Sequence, residues 1–269
     1  MSLYLFTSDT HNGGDTALML PTTFTPNTRT HILMEKEQSK IQEIIYAQWE
    51  DVAREAKKRR NRNEQVIWIM NGDAVEGRHH KTKELVTDYE VNQAYMHIQC
   101  VIEFRKILGW KNTDRMIYTD GTDCHVGEFE RLASEHLKAE HYPVVKKKTP
   151  AGQLWVAHHG PGAGSGANEG RALGNKARIE LVAALANNIT PPRFLVYSHF
   201  HKKAHAQVEI GDYIVDAFIL PSFQYKTKYG HRVAPFEPTN IGGMSLQINR
   251  DGSFNYEWHV ARTEVEVLE

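Results

Sequence analysis

The sequence predicts an α/β fold in which buried strands alternate with amphipathic helices and polar residues follow the strand ends. Apolar runs such as 65–70 and 194–197 are typical of buried strands. Apolar residues that recur on one face predict helices over about 34–62 and 88–108. Because 41% of the 269 residues are hydrophobic, the chain can bury a full core. We therefore expect one domain spanning 1–269.

The other elements follow in chain order. A first strand over 3–8 is predicted to lead into a long loop, 12–31, which contains glycines and prolines. Further strands are expected at 115–119 and 153–157, with a helix near 129–137 between them. The glycine-rich stretch 161–168 should open a helix that ends near 187; it lacks the Gly-Lys-Ser/Thr of a phosphate loop, so it is either a flexible connection or an anion contact. Two hairpins are predicted, with turns at Gly211-Asp212 and Asp251-Gly252.

Composition excludes several classes of function. The formal net charge is -1, so no overall positive field would attract nucleic acid or an anionic membrane. The basic end of the first helix, Lys57 to Arg62, complements the helix dipole, with a nucleic-acid patch as the alternative. No apolar run approaches the roughly 20 residues of a membrane span, and the N-terminus lacks the features of a signal peptide. Cys100 and Cys124 fit a reducing compartment. We expect a cytoplasmic protein with no membrane partner.

Five strand ends carry side chains that could bind metal ions. They are Asp9 with His11, Asp73, Asp123 with His125, His158 with His159, and His199 with His201. Open α/β sheets place their ligands at such ends. Imidazoles mixed with carboxylates suit first-row transition metals better than calcium or magnesium. A central carboxylate could bridge two ions, which would acidify a water and hold phosphoryl oxygens.

These blocks, Asp9-x-His11, Gly72-Asp73, the cluster at Gly121, a His beside Gly160 and Ser198-His199-x-His201, resemble in order those of the calcineurin-like metallophosphoesterase superfamily. The resemblance covers nearly the whole chain and is closest to small phage and prophage members, which would place the protein in a host cytoplasm. It implies a four-layer sandwich of two mixed β-sheets flanked by α-helices. The C-terminal hairpins, from about 204 to 260, would complete the second sheet.

The resemblance also implies two divalent transition-metal ions, manganese first, with zinc, iron or nickel as alternatives. The first ion would be held by Asp9, His11 and His201, and the second by His158 and His199. Asp73 would bridge them. Alternation through the preceding strand favours His158 over His159 as the ligand.

The third block departs from the family pattern, because Gly-Thr-Asp-Cys-His replaces Gly-Asn-His. We assign Asp123 to the metal position that the family fills with Asn, with Thr122 as the alternative. His125 is assigned to protonation of the leaving oxygen. Asp123 and His125 are thus the candidate catalytic residues. The fifth block departs as well, since Ser198 stands where the family usually has glycine.

The implied reaction is phosphoester hydrolysis by a hydroxide that bridges the two ions. A phosphodiesterase or nuclease acting on nucleotides or nucleic acid is the first expectation; a phosphomonoesterase, or a non-catalytic interaction protein that retains the fold, is the alternative. Candidate substrate-lining residues are His79, His80, His159 and Arg171. Glu76 is placed with His79 and His80, either in the cleft or on an exposed loop. The oligomeric state is left open.

Overall fold

The structure is a computed structural model that describes residues 1–26, 33–78, 84–87, 89–122, 128–162, 170–233 and 239–261. Its strands are, in chain order, β1 (Ser2–Thr7), β2 (Thr22–Pro26), β3 (Leu33–Glu37), β4 (Gln65–Asn71), β5 (Arg115–Thr119), β6 (Glu140–Tyr142), β7 (Val145–Thr149), β8 (Gly152–Val156), β9 (Pro192–Tyr197), β10 (Ala204–Ile210), β11 (Tyr213–Ile219), β12 (Gly242–Ile248) and β13 (Phe254–Val260). The helices are α1 (Lys40–Arg59), α2 (Glu90–Leu108), α3 (Phe129–Leu137), α4 (Arg171–Ala186) and α5 (Lys228–Val233).

Two mixed sheets form the centre of the fold. The first has the order β13-β12-β1-β4-β5-β6, and the second has the order β10-β11-β9-β8-β7. Strands β1, β4, β5 and β6 run parallel, as do β8, β9 and β11 in the second sheet. Antiparallel pairs complete the sheets: β12 pairs with β1 and β13 in the first sheet, and β7 and β10 pair with β8 and β11 in the second. Within each sheet, the parallel strands therefore bring their carboxyl ends to one edge.

Three hydrophobic cores establish the layer order. Helices α1, α2 and α3 pack on the outer face of the first sheet around Trp49, Trp68 and Phe104. A second core, which includes Phe6 and Phe194, fills the space between the two sheets. A third lies where α4 covers the outer face of the second sheet. The order helix, sheet, sheet, helix confirms the predicted four-layer α/β sandwich.

Helix α1 shows how local sequence sets an element. Ser39 caps its first turn, and its side chain accepts a hydrogen bond from the backbone N–H of Gln42, whose own side chain accepts from the Ser39 N–H. The basic end of the helix is paired, because Arg60 Nη2 lies 2.5 Å from Asp114 Oδ1 and Arg59 Nη1 lies 2.9 Å from Glu257 Oε2. These contacts favour the interpretation that the basic run stabilises the end of the helix, over the alternative of a nucleic-acid patch.

Several predicted boundaries are corrected. The first long helix begins at Lys40 rather than near 34, because residues 33–37 form β3. The partner of β3 is β2, a strand that lies within the predicted loop 12–31. Strands β6 and β7 were not predicted from the sequence. The hairpin β10–β11 joins the second sheet as expected. The expectation is wrong for β12–β13, because β12 pairs antiparallel with β1 and the chain returns to the first sheet.

Among the described residues, no helix is long and apolar enough to cross a membrane.

His97 joins α2 to the loop that follows β1. Its Nδ1 lies 2.9 Å from Asn12 Oδ1, and its Nε2 lies 2.8 Å from the Tyr118 hydroxyl. The Asn12 amide nitrogen donates to Leu18 O, so Asn12 Oδ1 is an acceptor and His97 Nδ1 carries the hydrogen. His97 is fully buried, and this burial lowers its pKa to about 3. The ring is therefore neutral in the folded protein.

We expect this neutral ring to make stability dependent on pH. An unfolded histidine takes up a proton near pH 6.5, whereas folded His97 does so only near pH 3. Its contribution to the free energy of unfolding is therefore complete above pH 6.5 and is lost as the pH falls toward 3, by about 1.4 kcal/mol per pH unit. Urea unfolding of the wild type and of His97→Gln measures this effect. The difference between their free energies of unfolding should shrink as the pH falls from 7.5 to 5. A difference that stays constant with pH would contradict it.

Candidate metal centre

The loops that follow the parallel strands meet where the two sheets come together. The loop after β1 is tied to the loop after β4, because Asp9 N donates to Gly72 O at 3.2 Å and His11 N donates to Asp73 O at 3.0 Å. In the second sheet, Ser198 N donates to His158 O at 3.1 Å. These backbone hydrogen bonds join the ends of β1 and β4 in the first sheet and the ends of β8 and β9 in the second.

Asn71 and Ser198 join the two sheets directly beneath this place. The Asn71 amide nitrogen donates to Ser198 Oγ at 2.9 Å and to Ala157 O at 3.0 Å, and Ser198 Oγ donates to Asn71 O at 2.8 Å. Thr119 Oγ1 donates to Asn71 Oδ1 at 2.6 Å. Both Asn71 and Ser198 are fully buried. Ser198, which departs from the family pattern, thus has a specific role in joining the sheets.

Backbone strain is concentrated at the candidate ligands. Seven non-glycine residues among those described have positive φ, and five of them are candidate ligands: Asp9, His11, Asp73, His199 and His201. Their φ angles lie between 43° and 79°. A left-handed conformation is unfavourable for most side chains and persists only where the surrounding structure imposes it. Such clustering is typical of functional sites.

Two buried carboxylates lie at the centre of the cluster. Asp9 Oδ1 lies 3.3 Å from His158 Nε2 and 3.5 Å from His201 Nε2. Asp73 Oδ2 lies 3.4 Å from His158 Nε2 and 3.6 Å from His199 Nδ1. His11 Nε2 lies 4.0 Å from Asp9 Oδ1 and 3.9 Å from Asp73 Oδ2, so it faces both.

The donor atoms fit divalent metal ions. Two ligands that each lie about 2.0–2.2 Å from one ion in tetrahedral geometry are about 3.3–3.6 Å apart. The separations of 3.3 to 3.6 Å around the two carboxylates, and of 3.2 Å between His11 Nε2 and His201 Nε2, are close to this spacing. Two groups could each hold an ion: Asp9, His11 and His201, and Asp9, Asp73, His158 and His199. Asp9 belongs to both groups, and Asp73 also faces His11, so the bridging role of Asp73 stays a prediction.

Mutual electrostatics shift the pKa values of these groups. Burial alone would raise the pKa of Asp9, but hydrogen bonds from His158 and His201 hold it well below its usual range. Burial alone would raise the pKa of Asp73 as well, but His199, His158 and His11 lower it below its usual range. Burial would lower the pKa of His11, but the charges of Glu76, Asp73 and Asp9 raise it to about 9. The carboxylates are thus ionised and attract cations.

The cluster opens to solvent on the side of the second sheet. The side chains of His199 and His201 are 32% and 25% exposed, whereas Asp9 and Asp73 are buried. His159 is exposed, and its ring lies 4.6 Å from that of His199. Together with His158 and His199, it forms a third group whose atoms could hold an ion. A substrate would approach from this side.

Thr122 belongs to the third sequence block and lies beside Asp73, in the loop after β5. Its backbone N–H donates to Asp73 Oδ1 at 2.6 Å, and its hydroxyl donates to Asp73 Oδ2 at 3.1 Å. The same hydroxyl lies 3.4 Å from His199 Nδ1 and 3.4 Å from His159 Nε2. Of the two residues considered for this position, Thr122 is the one that the structure describes.

The structure brings together six of the seven residues predicted as metal ligands: Asp9, His11, Asp73, His158, His199 and His201. His158 is buried and points at both carboxylates, as the strand alternation predicted. Arg171 is exposed at the first residue of α4. The other predicted site residues, Asp123, His125, His79 and His80, lie outside the described residues, so their roles stay predictions.

Sequence reasoning missed one buried carboxylate beside the cluster, Glu130, and left another, Glu76, open between the cleft and an exposed loop. Glu76, considered only as a cleft or loop residue, lies 3.1 Å from His11 Nδ1 through its Oε2 atom. Glu130, at the start of α3, accepts a hydrogen bond from Ala74 N at 3.1 Å and so holds the loop that carries Asp73. Burial raises the pKa of Glu130 to about 7. Glu76 lies three residues after Asp73, a signal that could have indicated it, whereas nothing around Glu130 in the sequence does so.

No protein-family model matches the chain, and none of the curated proteins matches it. Among solved structures, it is similar to the sulfate thiohydrolase SoxB of Thermus thermophilus, with 10% identity and a TM-score of 0.42 over 96% of this chain and 56% of SoxB. The chain thus spans little more than half the length of SoxB. It is also similar to the phosphopantetheinyl hydrolase PptH of Mycobacterium tuberculosis, with 9% identity and a TM-score of 0.34 over 87% of this chain and 92% of PptH. Both scores are below 0.5 and carry no weight for fold or activity.

Gly72 provides a direct test of the cluster as a metal centre. Its φ is +75°, and a Cβ there would overlap the His158 ring and lie 2.9 Å from Asp120 O. We expect Gly72→Ala to displace His158 and to weaken manganese binding by about 10- to 100-fold, as the loss of ligand support does in metal sites. Isothermal titration calorimetry with manganese measures the change.

Gly211→Ala is the matched control. Gly211 has φ +57° and nothing within 4 Å of the added Cβ, so it shares the left-handed strain, about 1–2 kcal/mol, without the overlap. Gly72→Ala should lose more stability in urea than Gly211→Ala because of the overlap, and only Gly72→Ala should lose metal affinity. Equal affinities in the two variants would show that His158 is not a ligand.

Proposed function

We propose that this chain is a calcineurin-like metallophosphoesterase that hydrolyses phosphoester bonds with two divalent metal ions. The observation that carries the proposal is the cluster itself, in which two buried carboxylates and four imidazoles come from the strand ends of both sheets. A phosphodiesterase or nuclease acting on nucleotides or nucleic acid is the proposed activity. The phage-type subgroup remains a prediction from the sequence blocks.

The residues divide into two sets of ligands. Asp9, His11 and His201 would hold the first ion, and His158 and His199 the second, with Asp73 between them. Ions bound there would acidify a water and neutralise charge on the phosphoryl oxygens. Asp9 also accepts a hydrogen bond from His199 N at 3.2 Å, which fixes its carboxylate plane. Thr122 holds Asp73 in the same way on the other side.

Phe200 supports a substrate with a planar group. It lies between His199 and His201 in the chain, its side chain is 42% exposed, and its ring is 5.3 Å from that of His199. An exposed aromatic ring beside the open side of the cluster offers a stacking surface for a base. A nucleotide ester could thus place its phosphate at the ligands and its base on Phe200.

A substrate panel tests the proposed activity. The purified protein is expected to bind two manganese ions and to hydrolyse a phosphodiester faster than a monoester, in assays on both, on cyclic nucleotides and on single-stranded DNA. His201→Ala should lose metal and lower turnover by at least about 100-fold. His136→Ala, at an exposed histidine of α3, is the matched control.

Three outcomes of this panel would change the conclusion. A preference for monoesters would favour a phosphomonoesterase, and two bound ions without any turnover would favour a non-catalytic interaction protein. His125→Ala should keep both ions while sharply lowering turnover, because the residue is assigned to protonation of the leaving oxygen. Loss of an ion in that variant would make His125 a ligand instead.

Phe200→Ala tests the nature of the substrate. Because stacking of a base on an aromatic ring contributes about 1–3 kcal/mol, we expect the variant to bind AMP roughly 5- to 150-fold more weakly and inorganic phosphate equally well. Calorimetry on the manganese-loaded protein measures both. Tyr213→Ala is the control, because Tyr213 is an aromatic residue with a similar exposure of 44% and lies at the first residue of β11. Equal loss of AMP and phosphate binding would argue against stacking.

A further inference from the structure

Glu76 contacts the cluster from behind His11. It is 4% exposed, and its Oε2 atom lies 3.1 Å from His11 Nδ1. The other ring nitrogen of His11, Nε2, faces His201 Nε2 at 3.2 Å and Asp9 Oδ1 at 4.0 Å. The imidazole therefore spans the distance between a carboxylate on one side and the candidate ligands on the other.

Gln224 holds this carboxylate from a distant part of the chain. Its Nε2 atom donates to Glu76 Oε2 at 2.6 Å, and Gln224 is itself only 4% exposed. An isolated bridge pairs Gln224 with Ala17, and Glu76 N donates to Asn12 O at 3.1 Å. Both residues are thus fixed to the loop that carries His11. An amide donor stabilises the carboxylate without adding a charge to the cluster.

We propose that Glu76 and Gln224 are positioning residues for the ion that His11 would hold. In this role the Glu76 carboxylate, 3.1 Å from His11 Nδ1, would accept the hydrogen of that nitrogen and keep the Nε2 lone pair directed at the ion beside Asp9 and His201. Gln224 fixes the carboxylate in that orientation. The proposal rests on the proposed function for the presence of an ion, but it concerns the orientation of His11 and not the chemistry of hydrolysis.

The geometry distinguishes positioning from ligation. Glu76 lies on the Nδ1 side of the His11 ring, whereas the other donors of this group, Asp9 and His201, lie on the Nε2 side. A carboxylate that accepts from the far nitrogen of a ligating histidine fixes its tautomer and raises its basicity. The loss of such a partner typically weakens metal binding by about 10- to 100-fold.

The experiment compares Glu76→Leu, Glu76→Gln and Gln224→Leu with the wild type. Manganese affinity by calorimetry should fall by about 10- to 100-fold in Glu76→Leu. Glu76→Gln keeps an acceptor oxygen and should restore part of the affinity, and Gln224→Leu should show a smaller loss than Glu76→Leu. Nitrogen-15 NMR of the zinc-loaded protein should show the hydrogen on His11 Nδ1 in the wild type, with a weakened hydrogen bond in Glu76→Leu.

Glu64 and Gln247 provide a matched control at the other end of β4. Glu64 is 2% exposed and accepts from Gln247 Nε2 at 2.9 Å, so it is a buried glutamate held by a glutamine, as Glu76 is. Glu64→Leu should cost comparable stability and leave metal affinity and the His11 signals unchanged.

The outcomes separate the two proposals. Unchanged affinity and an unchanged His11 signal in Glu76→Leu overturn the positioning role, whatever the activity. Two tightly bound ions without phosphoester turnover in the wild type overturn the proposed function and leave this inference standing. If Glu76→Leu does not fold, the other two variants decide. Equal manganese affinities of Glu76→Gln, Gln224→Leu and the wild type would overturn the positioning role.

Discussion

The burial of two ionised carboxylates, Asp9 and Asp73, is the constraint on which the rest of the site depends. A buried charge is strongly unfavourable unless cations or hydrogen-bond donors compensate it. Here the compensation comes from imidazoles and from two backbone N–H groups, those of His199 and Thr122. These partners belong to the loops after four strands, β1, β5, β8 and β9. The carboxylates therefore make the ends of both sheets depend on one another.

The backbone pays for this convergence locally. Five candidate ligands have positive φ, each in a loop directly after a parallel strand. Such conformations persist because neighbouring hydrogen bonds hold them, among them those from Asp9 N to Gly72 O and from His11 N to Asp73 O. The contacts between Asn71 and Ser198 add a rigid connection between the sheets below the candidate ligands. Strain above a rigid junction is an arrangement that preorganises a binding site.

Much of this arrangement could be predicted from the sequence, because buried parallel strands are short apolar runs and their ends meet at one edge. That rule placed the six described candidate ligands together without any knowledge of contacts, and the family resemblance assigned their roles. It could not assign β12 to the first sheet, since a hairpin pattern does not specify which strand it pairs with. The same limit applies to Gln224, which contacts Glu76 across 148 residues and has no motif around it. Ser198 appeared as a departure from a pattern, and only the position of Asn71 explains it.

The net charge of the cluster depends on which residue lies beside Asp73 and His199. Asp9, Asp73 and Glu76 together contribute three negative charges, so two divalent ions with a neutral bound water would leave a net charge of about +1 to attract a phosphoester. The neutral hydroxyl of Thr122, 3.4 Å from His199 Nδ1, preserves that excess. A carboxylate from Asp123 at the same position would cancel it, holding the ions more tightly while weakening the attraction for an anionic substrate. Which of the two neighbouring residues completes the site therefore sets the balance between metal retention and substrate binding.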